Sequence, residues 1–517
     1  MPSEAGPPFS EPSADIILCS SDDVLFRLHR IILSLASDFF RDMLSLPQPS
    51  SRDDTASGGD EELDGLPLLR VEEPSDVLDR LFRLCYPVDD PALDTIHAVR
   101  STLEAARKYQ MAEAANIAKN RLRSFTVNDP LRVYMLACHF GLEDEAAAAA
   151  VEVYKQKVQH KYVEELQDVP IGAYHRLLVY CDRRGRVPAR FKFTFFHRAL
   201  GWNDPMSTAY STPALTEVPL PPEEISGPMI ASHPFDMQEA DVVVETADGV
   251  QFRVFKTILQ LASPVLSSRL SSSSAGRLIV SEPSRIFTIL LELCYPTAYP
   301  PLTDLYDIGA ALTSAETYQM AGPAATLRGA LAARKDDPSA DPVVLYAVAS
   351  QFAMRDLASA AARRTLRTDL MKAPISELDA LGVSGVRLYW LLEYHRRCRA
   401  AVHRILKNHD WLPADMRAQL QSCCPRPYSL PEMPCWFDVY VARLAEPSWP
   451  RPEAAMDEVL LKSVMEWQIR CMNCDPVQST FTLLAFSRCL VEKMENAEKA
   501  VQLEWYTSPQ ISPSGAP

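Results

Sequence analysis

The tetrapeptide Leu84-Cys85-Tyr86-Pro87 returns as Leu293-Cys294-Tyr295-Pro296, and the sequence on both sides repeats with it. Lys108-Tyr109-Gln110-Met111 corresponds to Thr317-Tyr318-Gln319-Met320, and Glu73-Pro74-Ser75 to Glu282-Pro283-Ser284, all at one offset. Downstream, Asp129-Pro130 pairs with Asp341-Pro342, Tyr134 with Tyr346, Phe140 with Phe352 and Glu165-Leu166 with Glu377-Leu378, at a slightly longer offset. Upstream, Asp15 pairs with Asp241 and Phe26 with Phe252, and an insert after Leu46 separates the registers of the two copies. A repeat period well above about 50 residues is too long for a solenoid unit, so each copy must fold around its own core.

At 517 residues the chain has room for two such domains and a C-terminal remainder. Its 52 Lys and Arg stand against 67 Asp and Glu, a net charge of −15, which makes it a poor general ligand for a phosphate backbone. Its first residues have neither a basic flank nor an apolar stretch, which reads as no secretory signal, and no apolar run approaches the roughly 18 residues of a membrane span. The expectation is a cytoplasmic or nuclear protein with no membrane contact, whose 12 cysteines are thiols or metal ligands rather than disulfides.

Residues 1–13, rich in Pro, Ser and Glu, read as disordered. Ile16-Ile17-Leu18 and Val24-Leu25-Phe26 read as a hairpin, as do Val242-Val243-Val244 and Val250 to Val254 around Asp248-Gly249, a dipeptide suited to positive φ. Ser37 and Ser263 precede the next helix, the latter as an N-cap hydroxyl before Pro264. Residues 47–62 read as a mobile loop. A strand follows at Leu68 to Val71, or Leu278 to Val280, and then helices whose apolar positions recur at helical spacing. Strands first and helices after give an α+β class. The resulting division is 15–126 and 241–333 for the two domains, and 127–200 and 334–409 for a helical extension after each. A Pro-rich linker covers 203–234, a mostly helical tail bearing Cys and Trp covers 411–507, and a disordered end covers 508–517.

Copy 1 resembles a BTB/POZ domain. The resemblance rests on a strand opening at Asp15, Phe26-Arg27-Leu28-His29-Arg30, Ser37-Asp38-Phe39-Phe40, a helix ending in Cys85-Tyr86, and Ala105-Ala106-Arg107-Lys108-Tyr109-Gln110-Met111. Copy 2 is similar but diverged, with Phe255 where the family usually has His and Val265-Leu266 in place of the two phenylalanines. The extensions and tail resemble fungal BTB proteins of unassigned role. The resemblance implies protein binding, with homotypic pairing as an intrachain pseudo-dimer or a homodimer, and interaction residues Asp15, His29, Arg30, Phe39 and Phe40; a hydrogen-bonded structural role for His29 is the competing reading. The function expected is a protein-interaction scaffold that does not use cullin, the alternative being a substrate adaptor of a cullin-type ubiquitin ligase.

No Gly-rich phosphate loop, His-Glu-x-x-His pair or Gly-x-Ser-x-Gly elbow is present, and the expectation is no enzyme and no catalytic or cofactor-binding residues. Cys471-Met472-Asn473-Cys474 has the spacing at which two thiolates share a tetrahedral zinc ion. Cys398 with Cys423 or Cys424 could complete a structural site, with His403 or Cys435 as substitutes; unliganded core thiols are the competing reading, and redox activity or disulfides a further one. Arg183 to Arg198 alternates basic residues with Phe191, Phe193, Phe195 and Phe196, and Arg387 to Arg404 is also basic. Such runs can bind single-stranded nucleic acid, but the surrounding negative charge favours solvated helix or strand edges.

Overall fold

The computed structural model describes residues 2–45, 61–194, 229–272, 276–296, 300–424, 433–446, 450–471 and 473–505. The expectations for the insert up to residue 60, for most of the linker and for 508–517 lie outside the described residues. The chain divides into two compact units, Met1–Val169 with Arg176–Phe195, and Pro170–His175 with Phe196–Pro517.

In the first unit, β1 (Ser3–Glu4), β2 (Ile16–Cys19), β3 (Val24–Leu28), β4 (Glu61–Leu63) and β5 (Leu66–Arg70) form a sheet of order β1-β3-β2-β5-β4. The hairpin β2–β3 is antiparallel, whereas β1 joins β3 and β5 joins β2 in parallel. β4 pairs antiparallel with β5, so the segment read as a loop through residue 62 becomes a strand at Glu61. Helices α1 (Arg30–Ala36), α2 (Asp38–Ser45), α3 (Ser75–Arg83), α4 (Ile96–Lys108) and α5 (Ala112–Ser124) complete the domain. The extension is α6 (Pro130–His139), α7 (Glu143–Gln156), a 3₁₀ turn at Glu164–Gln167 and α8 (Ile171–Asp182). Nearly every side chain of α6 is buried, as its apolar run around the whole helix demands, and Gly141 at φ +67° separates it from α7.

The second unit repeats the pattern with β6 (Met229–Ile230), β7 (Val242–Glu245), β8 (Val250–Val254) and β9 (Arg277–Ile279), in the order β6-β8-β7-β9. Gly249, at φ +77°, makes the expected turn between β7 and β8. Its helices are α9 (Lys256–Ala262), α10 (Pro264–Ser272), α11 (Ser284–Cys294), α12 (Leu305–Thr317) and α13 (Ala321–Ala332). The extension consists of α14 (Pro342–Gln351), α15 (Arg355–Thr365), a 3₁₀ turn at Ile375–Leu381 and α16 (Gly385–Lys407). The tail adds α17 (Ala414–Cys423), α18 (Phe437–Ala445), a 3₁₀ turn at Pro452–Met456, α19 (Glu458–Ile469) and α20 (Pro476–Ala500). Trp436, Phe437, Tyr440 and Phe486 are buried at the centre of the tail's core, and α16 contributes Val402 and Leu406 to it.

The disorder expected for residues 1–13 is corrected by the structure. β1 runs beside β3, and the Phe9 carbonyl accepts the Arg27 N–H at 2.8 Å. The Phe9 ring is fully buried, 5.6 Å from Phe26, 6.0 Å from Phe82 and 5.3 Å from Tyr86 between ring centres. The second domain does the same at the end of the stretch assigned to the linker and just past it: β6 joins β8, and the Phe235 carbonyl accepts the Arg253 N–H at 2.8 Å. Phe235 packs 5.9 Å from Phe252 and 5.3 Å from Tyr295. Low hydrophobic content argues for disorder only while no side chain in the segment finds a core position, and one buried aromatic reverses it.

His395 on α16 is buried, with Nε2 2.8 Å from Thr365 Oγ1, whose own proton goes to the Ala362 carbonyl. The imidazole therefore donates. Burial first, and then the Arg399 charge, push its pKa down to about 3. An unfolded chain takes up a proton near pH 6.5 that the folded site refuses, so this stability is present above pH ~6.5 and lost as pH falls towards ~3. Denaturation of the second unit across that window is expected to lose up to about 1.4 kcal/mol per pH unit through His395, a component absent from His395→Asn.

Candidate functional site

The residues repeated between the copies build a polar frame that holds α1 and α2, or α9 and α10, against the rest of each domain. Asp15 Oδ1 accepts the Arg30 N–H at 2.7 Å, and Asp241 accepts the Lys256 N–H at the same distance. The Tyr86 hydroxyl accepts the His29 N–H at 2.9 Å, and the Tyr295 hydroxyl accepts that of Phe255 at 3.0 Å. Because the backbone makes this bond, Phe255 can stand where copy 1 has His. Ser37 Oγ accepts the Phe40 N–H at 3.0 Å and donates to the Tyr109 carbonyl; Ser263 does the same with Leu266 and Tyr318. The Tyr109 and Tyr318 hydroxyls donate to Glu73 and Glu282, which explains why the two motifs recur together. Asp22 accepts the Ser75 N–H and hydroxyl, and hydrogen bonds from Ser20 and Ser75 hold its pKa down at about 2; Asp248 binds Ser284 likewise.

Of the five expected interaction residues, the structure thus gives Asp15 a capping role. His29 lies within hydrogen-bond distance of Ser13 Oγ and, through Nδ1, of the Tyr86 hydroxyl. Arg30 is half-buried, and Phe40 is buried and stacked on Tyr109 at 5.1 Å. Phe39 alone among the apolar ones reaches the surface, where Ile31 and Leu35 are also exposed, at 65% and 81%. Ile31 and Leu35 lie four residues apart on α1, so they share one face of it. Leu261 on α9 occupies the position of Leu35 and is 84% exposed. Sequence reasoning missed this pair, because an apolar residue on a seven-residue helix reads equally well as core.

The tail brings four thiols together. Cys424, Cys435, Cys471 and Cys474 place their Sγ atoms within 4.8 Å of one another, with Cys424 and Cys471 3.7 Å apart and Cys435 and Cys474 3.4 Å apart. Cys435, a substitute in the sequence reading, is in the group, while Cys423 and Cys398 are not. Cys423 ends α17 inside the tail core, whereas Cys424 leaves the helix at φ −142°, ψ 82°. Cys398 is buried on α16 with its thiol directed to the Glu498 carbonyl, and His403 Nδ1 lies 3.0 Å from the Arg399 carbonyl. Burial raises the Cys435 pKa to about 11, and burial with the adjacent thiols drives Cys474 up as well. At Cys471 burial is overcome by the Asn473 N–H and the neighbouring thiols, which bring it down to about 7.

Other candidates are absorbed into packing. Phe193 is buried 5.8 Å from Tyr134 and 5.3 Å from Tyr180, and Glu143 accepts its N–H, so this ring of the basic, aromatic stretch belongs to the core. On α16, Arg396 pairs with Glu393 and Arg397 with Glu504. Cys85 and Cys294 are half-buried thiols whose pKa burial raises to about 11, against any role as nucleophiles. No helix among the described residues is long and apolar enough to cross a membrane.

Residues 9–125 and 234–334 match the family model of the BTB/POZ domain. The chain carries two BTB/POZ domains. The matched segments open at Phe9 and next to Phe235, the aromatic anchors of the two N-terminal arms. BTB/POZ domains generally mediate protein-protein interaction and dimerisation and are not typically catalytic. Comparison with curated proteins finds none that matches the chain.

Proposed function

We propose that the chain is a non-catalytic scaffold that assembles proteins through its two BTB/POZ domains, in the cytoplasm or nucleus, without a cullin. The observation that carries this reading is the exposed apolar face of α1, Ile31 with Leu35, on a helix that the polar frame holds in place. Exposed aliphatic side chains on an interaction domain are favourably buried by a partner surface. Homotypic pairing is part of the proposal. A linker of about 30 residues holds two copies at roughly millimolar mutual concentration, which favours an intrachain pseudo-dimer, while pairing between chains makes a homodimer. Light scattering over a dilution series separates the two, since only the homodimer changes mass with concentration.

The same face supplies the functional test. Ile31→Asp with Leu35→Asp is expected to weaken capture of partner proteins by about thirtyfold or more, with circular dichroism unchanged because both residues are on the surface. The purified chain is expected not to retain a cullin at micromolar concentration. Retention of cullin would replace this reading by the alternative, a substrate adaptor of a cullin-type ubiquitin ligase.

A further inference from the structure

The four thiols of Cys424, Cys435, Cys471 and Cys474 come from three separate places in the tail: the end of α17, the segment before α18, and the α19–α20 connection. A zinc ion bonded to four thiolates at about 2.3 Å sets the sulfurs about 3.8 Å apart along each edge of its tetrahedron. The separations of 3.7 and 3.4 Å, with every pair within 4.8 Å, are close to that figure. Two disulfides need only two pairs of sulfurs, and apolar burial of thiols needs no common focus. Neither accounts for four sulfurs around one point.

The backbone around the cluster is also prepared for thiolate ligands. The Asn473 N–H is directed to Cys471, the Cys474 N–H closes a turn on the Cys471 carbonyl at 3.4 Å, and Trp467 Nε1 holds the Cys435 carbonyl at 3.2 Å. An N–H directed at sulfur is an outer partner that orients a metal-bound thiolate, and the two bonds to the Cys471 and Cys435 carbonyls hold the ligand backbone in place. Directly after Cys474, Asp475 caps α20 by accepting the N–H groups of Val477 and Gln478, which fixes the direction in which that ligand enters. Trp436, next to Cys435, is fully buried in the tail core, so an ion at this point ties the ligand loops to that core.

We propose that Cys424, Cys435, Cys471 and Cys474 bind one structural zinc ion that clamps α17, α18 and the α19–α20 connection together. Zinc displaces the thiol protons to solvent and forms four Zn–S bonds, giving a tetrathiolate of net charge −2, with no change of oxidation state. All four positions are taken by protein, which leaves no place for water or substrate and makes the ion a cross-link rather than a catalyst.

The test is metal analysis of the full chain purified without chelator. About one zinc per chain is expected, falling to about a tenth or less in Cys471→Ser/Cys474→Ser and unchanged in Cys423→Ala and Cys398→Ala, the two cysteines outside the cluster. Should the double variant fail to fold, the wild-type chain decides the matter: after removal of zinc, added cobalt is expected to give the intense absorption of a tetrahedral tetrathiolate. Full-length protein containing no metal and taking up no cobalt, bound iron in place of zinc, or Cys424–Cys471 and Cys435–Cys474 disulfides in protein alkylated at lysis would each overturn the proposal.

Discussion

Phe9→Ala is expected to destabilise the first BTB/POZ domain by about 3–5 kcal/mol, the usual cost of truncating a fully buried phenylalanine. The ring is enclosed by Phe26, Phe82 and Tyr86, with the Arg83 guanidinium 5.7 Å from its centre, so little of the vacated space can be refilled. The backbone bond from Arg27 to the Phe9 carbonyl survives the substitution and is lost only on deleting residues 1–9, which is expected to cost more. The unfolding of a chain with several domains does not follow one transition, so the readout is amide exchange resolved by segment. Exchange in β2, β3 and α3 is expected to accelerate by about a hundredfold to several thousandfold, with β7 and β8 unchanged. Phe235→Ala is expected to give the converse. If neither substitution moves its own sheet, the N-terminal arms are not part of the domains.

Arg367→Met is expected to be the largest single ion-pair effect in the tail. Glu498 on α20 is buried, and its Oε2 accepts from Arg367 Nη1 at 2.9 Å while Arg367 Nε binds the more exposed Glu453 at 2.6 Å. Arg367 is itself 37% exposed, so solvent screens part of the pair, and removing it leaves the buried Glu498 carboxylate without its partner at a cost of about 2–3 kcal/mol, below the full penalty of a wholly buried pair. Burial already holds the Glu498 pKa above the usual carboxylate value, even with Arg367 opposing the shift. In the variant that pKa must rise further. A raised carboxyl costs stability above its folded pKa and none below its unfolded value, so the deficit against wild type is expected to be full at pH 7 and to close as pH falls to about 4.5. Amide exchange in α20 at the two pH values checks this, and a deficit independent of pH would show that lost packing of the arginine stem is responsible.

The cysteine centre and the α1 face show why a sequence can name the right chemistry and miss the residues. Cys423 is the last residue of α17 and Cys424 the first outside it, at φ −142°, so their side chains leave the chain in different directions. One enters the tail core and the other turns out to the cluster, and nothing local distinguishes them. Phe39 and Phe40 divide in the same way: Phe40 stacks on Tyr109, and Phe39 is left at the surface near the start of α2. Cys435 joins Cys474 across a separation in sequence that carries no periodic signal.

What the sequence by itself determined was the duplication, the central hairpin, the strand after it and the helices that follow in each copy, and the capping residue Ser263, because these depend on periodicity, local hydrogen bonding and a register written twice. Only the tertiary structure decided that Phe9 and Phe235 close their domains, that Asp15 and His29 take hydrogen-bonding places in the frame, and that Cys424 and Cys435 stand with Cys471 and Cys474. Each of those outcomes is a contact between residues far apart in the chain, fixed by which core position or which neighbour remains once the helices and sheets have packed.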